Sequence, residues 1–169
     1  MEDTARATID ELHGLLVTLR EHGGSRGSAR AAVDPGPSAQ GVDGLPALMQ
    51  ASQAAGVPTI YAVLGDPQPL PELLGFTLYR VSQEALTNVR KHAGPRARVD
   101  ARLRYTNAHV ELEISNSGSV PVRRSTRGLG LIGMHERVAS CGGVLEAGPR
   151  SRGGYLVRAV LPIPSPESA

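Results

Sequence analysis

Two segments in the middle of the chain constrain its fold most, because each alternates apolar and polar residues over a short run. Residues 99–105 read VDARLRY and residues 110–114 read VELEI. A period of two places the apolar side chains on one face of a strand. Each strand therefore has one buried and one wet face, as antiparallel strands often do. The short connection at residues 106–108 (TNA) predicts a hairpin between them.

Further helices and strands surround this pair. Apolar residues at helical spacing, ended by glycines, predict helices at residues 43–56, 72–93 and 131–141. We expect Asp43 to cap the first of these helices. β-branched apolar runs predict strands at residues 58–65, 144–147 and 155–161. The sum is an α+β fold, a two-layer sandwich in which helices cover one face of a mostly antiparallel sheet.

The residues before and after these helices and strands differ in composition and indicate separate segments. Residues 1–24 carry a stripe of leucine and isoleucine at helical spacing and predict one helix. Residues 25–43 are rich in Gly, Ser, Pro and Ala and predict a flexible linker. We expect residues 44–162 to form the main domain and residues 163–169 a disordered tail.

Charge and cysteine content exclude several classes of function. The net charge is only +2, aromatic residues make up 3%, and the Lys and Arg residues are spread along the sequence. This pattern favours a solvated surface over a nucleic-acid footprint. The single cysteine excludes a disulfide framework and fits a reducing compartment. The sequence has no signal peptide and no long uncharged apolar run, so we expect a cytoplasmic chain without membrane contact. The sequence leaves open whether the chain comes from a longer, membrane-anchored protein.

The long predicted helix carries a polar run, QEALTNVRKH, at residues 83–92. Glu84 and Asn88 are four residues apart and share a helix face, and Lys91 and His92 follow one turn later. A carboxylate, an amide, an ammonium and an imidazole could hold a magnesium ion and its phosphates, because magnesium usually takes one or two protein ligands beside phosphate. A solvated polar face would explain the same spacing.

Two other stretches have the composition of ligand-binding loops. Residues 128–134 (GLGLIGM) lead into a helix, whose N-terminus presents free N–H groups that suit phosphate. The stretch lacks the Lys-Ser/Thr ending of a P-loop and does not follow a strand of a βαβ unit, so neither that loop nor a Rossmann site is expected. Residues 114–118 (ISNSG) end a strand with polar side chains that could contact a base. Each stretch alone is also an ordinary turn.

Together these stretches resemble a known family. LYRVSQEALTNVRKHAG resembles the N box of bacterial sensor histidine kinases, and GLGLIGMHERVASCGGVLEAGPRSRGGYLVRAVLP resembles their second glycine box through to the last strand. The resemblance is greatest to the NarL-partnered, DesK-like kinases and covers residues 45–162. It implies a Bergerat-type fold with a mixed sheet, shared with gyrase and Hsp90, that binds ATP and Mg²⁺.

The resemblance also implies roles for residues of the long helix. The family's magnesium ligand matches Asn88. Glu84 matches a glutamate that polarises water or the attacking group. Lys91 and His92 match positions that approach the phosphates and complete the expected catalytic set.

The resemblance assigns the nucleotide to the glycine stretches as well. We expect backbone amides of the second glycine box to bind ATP. The residues concerned are Gly128, Leu129, Gly130, Leu131 and Gly133. The loop at residues 117–130 resembles the ATP lid, a segment that orders over nucleotide.

The first glycine box departs from the family pattern. An aspartate normally accepts a hydrogen bond from the adenine amino group, and this chain has Asn116 there, followed by Gly118 but no second glycine. A charge-assisted hydrogen bond is roughly twice as strong as a neutral one, so we expect weaker adenine binding.

No histidine resembles the family's phosphoacceptor. His135 has the expected acidic neighbour, Glu136, but it lies on the helix after the lid. We therefore expect this chain to phosphorylate a histidine on a separate dimerisation and phosphoacceptor domain, which passes the phosphate to a NarL-type response regulator. One alternative is a degenerate interaction module of the same fold with weak or no ATP binding. Another is a related ATPase such as an anti-sigma-factor serine kinase.

Overall fold

The structure, a computed structural model, describes residues 41–118 and 129–164. Its α-helices are α1 (Leu45–Ala54), α2 (Glu72–His92) and α3 (Leu129–Ser140). Its strands are β1 (Thr59–Leu64), β2 (Val99–Tyr105), β3 (His109–Asn116), β4 (Val144–Pro149) and β5 (Tyr155–Pro162). The predicted N-terminal helix, nearly all of the predicted linker, most of the predicted lid and the end of the predicted tail lie outside the described residues.

The five strands form one sheet with the order β1-β2-β3-β5-β4. β1 pairs with β2 in parallel, and every other neighbouring pair is antiparallel. Thr106 closes the hairpin between β2 and β3, because its hydroxyl oxygen accepts the N–H groups of Ala108 and His109. These pairings confirm the predicted mixed and mostly antiparallel sheet.

Each central strand buries alternate residues against the helices. In β2 the odd-numbered residues from Val99 to Tyr105 are buried, and in β3 the buried set includes Val110, Leu112 and Ile114. α2 packs on β3 and β5, α3 packs on β4 and β5, and α1 packs on β1. The predicted two-layer α+β sandwich is therefore confirmed. The opposite face of the sheet carries charge, including the Arg158–Glu111 pair at 2.8 Å.

Helix α2 is the central helix of this layer. Apolar residues at helical spacing form its buried face, as the periodicity that predicted the helix requires: Leu74, Leu78, Val81, Ala85 and Val89. It ends where predicted, because Ala93 caps it and Gly94 follows with a φ of 82° that favours glycine. No helix in the described ranges is both long and apolar enough to span a membrane.

Three expectations about element ends were wrong. Asp43 does not cap α1, since it lies inside a 3₁₀ turn at Val42–Gly44, and Gly44 precedes the helix without a side-chain cap. β3 continues to Asn116, because that residue still pairs with Tyr155 of β5. α3 begins at Leu129 rather than Leu131, so Gly130 is helical and not part of a loop.

Candidate nucleotide site

The second half of α2 positions four of the predicted site residues. Glu84 and Asn88 are half-buried, whereas Lys91 and His92 are exposed in the last turn. Cationic groups are favoured there, because the C-terminus of a helix carries partial negative charge. The helix thus runs from a partly enclosed carboxylate and amide to two solvent-facing groups that could approach phosphates.

Glu84 packs directly against the start of α3. A Cβ atom on Gly130 would lie 2.6 Å from the Glu84 Cδ and closer still to its Oε1. Any larger residue at position 130 would displace the Glu84 carboxylate from this place. The structure therefore brings together two predicted site residues that are far apart in sequence, and it places the Glu84 side chain at the N-terminal turn of a helix, where negative charge is favoured.

The predicted adenine end lies where β3 finishes. Asn116 is only 5% exposed, and its Nδ2 donates a 3.0 Å hydrogen bond to the Ser117 carbonyl. The Ser117 N–H donates to the Arg98 carbonyl at 2.9 Å, and its hydroxyl oxygen accepts the Arg98 N–H at 3.1 Å. These bonds hold the end of β3 against the start of β2.

Gly118 then brings the chain to the C-terminus of α2. Its φ is 139°, and a Cβ atom there would collide with the Ala93 carbonyl oxygen. Along α2, Glu84 and Ala93 are nine residues apart, or about 13 Å at 1.5 Å per residue. Asn88 lies on the helix between these two contacts. The backbone at both ends of the predicted lid therefore approaches α2 on either side of the predicted metal ligand.

The remaining predicted site residues belong to the second glycine stretch. Leu131 is half-buried and packs against the core, and Gly133 lies one turn into α3. Leu129 is the first residue of that helix. Gly128 falls outside the described residues.

A groove of about 540 Å³ lies between α1, α2 and α3, and Glu84 and Gly130 form part of its wall. Sequence reasoning missed its basic residues, which are Arg80, Arg90 and Arg137. Arg80 lies four residues before Glu84 and donates a 3.1 Å hydrogen bond to Gln83. Its helical spacing from Glu84 was the signal that could have found it.

The donor set at α2 fits a magnesium nucleotide. Asn88 is half-buried and carries an amide oxygen, the kind of hard ligand that magnesium takes singly beside phosphate oxygens and water. The described residues hold no group of three or more His, Cys, Asp or Glu side chains that could bind a metal. Lys91 supplies an ammonium group and His92 an imidazole one turn away. Phosphates, rather than a protein cage, would therefore complete the coordination of a cation at Asn88.

The family model that matches this arrangement is the histidine kinase-, DNA gyrase B-, and HSP90-like ATPase, and it matches residues 75–165, more than half of the chain. The chain belongs to this family. The range matched by this ATPase family, residues 75–165, includes every predicted site residue, from Glu84 to Gly133.

Curated relatives of this ATPase domain are sensor histidine kinases. The sensor histidine kinase LnrJ of Bacillus subtilis is 37% identical over 105 residues, which are 62% of this chain and 26% of LnrJ. The sensor histidine kinase MctS of Rhizobium johnstonii is 29% identical over 174 residues, covering 95% of this chain and 35% of MctS. The signal transduction histidine-protein kinase/phosphatase UhpB of Salmonella typhimurium is 40% identical over 81 residues, 47% of this chain and 16% of UhpB. The chain thus spans about a third or less of these relatives.

Solved structures show the same fold. The histidine kinase domain of a blue-light activated histidine kinase from Erythrobacter litoralis superposes with a TM-score of 0.61 at 18% identity, over 81% of this chain and 66% of that one. The nucleotide-free catalytic domain of the histidine kinase ThkA superposes with a TM-score of 0.56 at 14% identity, over 72% and 89% of the two chains. The described residues therefore have the fold of these two histidine kinase domains.

Proposed function

We propose that this chain is the catalytic part of a NarL-partnered, DesK-like sensor histidine kinase. It would bind ATP with Mg²⁺ between α2 and the segment at residues 117–130. The γ-phosphate would pass to a histidine on a separate phosphoacceptor helix and then to a response regulator. The observation that carries this proposal is the approach of the backbone at Gly118 and Gly130 to α2, on either side of Asn88.

Each site residue has a role in this proposal. The Asn88 amide oxygen would ligate the metal, which when bound would neutralise phosphate charge. Lys91 and His92 would hold the phosphates from the exposed end of α2. Glu84 would polarise the attacking group. Its contact with Gly130 supports this role, because the contact fixes the carboxylate beside the backbone that would hold the triphosphate.

The proposed adenine contact differs from the family pattern. The Asn116 side chain is neutral and its Nδ2 is engaged by the Ser117 carbonyl, so its oxygen is the group that would accept from the adenine amino group. A neutral acceptor supports weaker binding than a carboxylate would give. We propose that the ATP affinity of this domain is correspondingly low.

The proposed partners follow from the same assignment. Residues 1–24 resemble the second helix of a dimerisation hairpin, and the chain offers no histidine in the family's phosphoacceptor setting. A separate dimerisation and phosphoacceptor domain and a NarL-type response regulator would therefore act with it. We propose that the reaction takes place in the cytoplasm.

The experiment that tests this function is calorimetry of ATP binding with and without magnesium. Asn88→Ala should remove the magnesium-dependent part of the binding, a loss of at least about tenfold, or 1.4 kcal/mol. Asn107→Ala is the matched control, because Asn107 is exposed in the β2–β3 turn. Equal magnesium-dependent affinity in the wild type and in Asn88→Ala would contradict the assignment.

A second candidate function is an interaction module that no longer binds nucleotide. The neutral Asn116 and the missing second glycine of the first glycine box favour it. Titration with a fluorescent ATP analogue separates the two functions. Binding in the micromolar range supports the kinase domain, and no binding at millimolar analogue supports the module.

A further inference from the structure

Three backbone segments converge on Gly118, at the predicted adenine end of the site. Ala93, at the end of α2, contacts Gly118 through its carbonyl. Arg98, just before β2, exchanges two hydrogen bonds with Ser117. The β4–β5 turn arrives from the other side, since a Cβ atom on Gly154 would collide with the Asn116 carbonyl and one on Gly153 would lie 3.8 Å from the Gly118 carbonyl oxygen.

These segments bring four arginines to one end of the domain. We call them the basic rim: Arg96, Arg98, Arg150 and Arg152. All four are exposed, and residues 93–98, 116–118 and 149–155 contain no Asp or Glu. Within the described ranges, the ion pairs involve other arginines, Arg102 and Arg158. The backbone contacts therefore bring two pairs of cationic residues, more than fifty residues apart in sequence, to the same end of the domain.

We propose that the basic rim attracts the anionic nucleotide and accelerates its association with the site. This inference rests on the proposed function, because it takes the ligand of the neighbouring site to be ATP. A cluster of one charge sign beside a binding cleft raises the local concentration of an oppositely charged ligand and its rate of association. The rim borders Asn116 and Gly118, which favours the nucleotide over an acidic protein as the ligand.

Such steering has a signature that separates it from a purely structural role of the arginines. It acts through the net charge of the ligand, so it should favour ATP over ADP and leave uncharged adenosine unaffected. It also weakens as salt shortens the screening length from ~30 Å at 0.01 M to ~3 Å at 1 M. A rim arginine that merely supported the fold would affect adenosine and ATP alike.

The test is stopped-flow measurement of association rates for ATP and adenosine at several salt concentrations. Arg152→Glu reverses one rim charge in the exposed β4–β5 turn. Arg104→Glu is the matched control, with the same change in net charge at an exposed position six residues along β2 from Arg98, or about 20 Å. At low salt Arg152→Glu should slow ATP association roughly threefold, with little effect of Arg104→Glu.

Each outcome decides the proposal. It is supported if the slowing is confined to Arg152→Glu and ATP and disappears near 1 M salt. It is overturned if the two variants bind ATP at the same rate with the same salt dependence, which would leave an acidic protein as the ligand of the rim. Equal slowing of adenosine would also overturn it. A wild-type chain that binds no ATP at all would refute the proposed function itself.

Discussion

Replacing Gly130 with alanine would put a methyl group where the Glu84 carboxylate lies. The new carbon would be 2.6 Å from the Glu84 Cδ, whereas carbon atoms in contact are normally ~3.5–4.0 Å apart. The glutamate side chain must therefore retreat by about 1 Å. Leaving its preferred rotamer costs ~0.5–1.5 kcal/mol. Alanine in a helix gains ~0.5–1 kcal/mol over glycine, so the net stability should stay within about 1 kcal/mol of the wild type.

Catalysis should respond far more strongly than stability. A misplacement of about 1 Å at a reacting group can cost roughly 100-fold in rate. We expect Gly130→Ala to lower the rate of phosphate transfer from ATP to a phosphoacceptor helix by about that factor, with a nearly unchanged urea midpoint. Gly148→Ala is the matched control, because a Cβ atom there meets no atom within 4 Å. A Gly130→Ala variant with full activity would refute the role given to Glu84.

Two further predictions concern the sheet. Leu112→Ala, at a fully buried position in β3, should lower the free energy of unfolding by ~2–5 kcal/mol in urea denaturation, whereas Val144→Ala, at a position 70% exposed, should change it by less than about 0.5 kcal/mol. The hydrogen bond from Arg158 holds the pKa of Glu111 below its ordinary value of 4.5 in the folded state. The stability from this pair is therefore present above pH 4.5 and lost as the pH falls through the folded pKa. Urea midpoints of the wild type and Glu111→Gln should differ at pH 7 and converge in acid, and a constant difference would contradict this.

The parts of the fold that local patterns determine could be predicted from the sequence. The alternation in VDARLRY and VELEI located β2 and β3, because side chains on a strand repeat every two residues. The apolar stripe from Leu74 to Val89 located α2, since its spacing matches a helix. These patterns depend only on residues close in sequence, so they can be recognised without knowledge of the whole fold.

Features that depend on distant contacts could not be predicted this way. The start of α3 at Leu129 was missed, because a glycine in a helix is unfavourable locally and the contact of Gly130 with Glu84 lies across the fold. The arginines are exposed, as a solvated surface requires, but the sequence did not indicate that the β4–β5 turn with Arg150 and Arg152 lies next to Asn116 and Gly118. The approach of Gly118 and Gly130 to α2 also depends on contacts between distant parts of the chain, so local patterns could not predict it.

A crystal structure with magnesium and a non-hydrolysable ATP analogue would test the central claim most directly. The proposed function predicts a metal ion about 2.0–2.1 Å from the side-chain oxygen of Asn88. It also predicts the triphosphate beside the backbone of Gly130 and the adenine at Asn116. A nucleotide bound elsewhere, or side chains filling the space between α2 and Gly130, would contradict it.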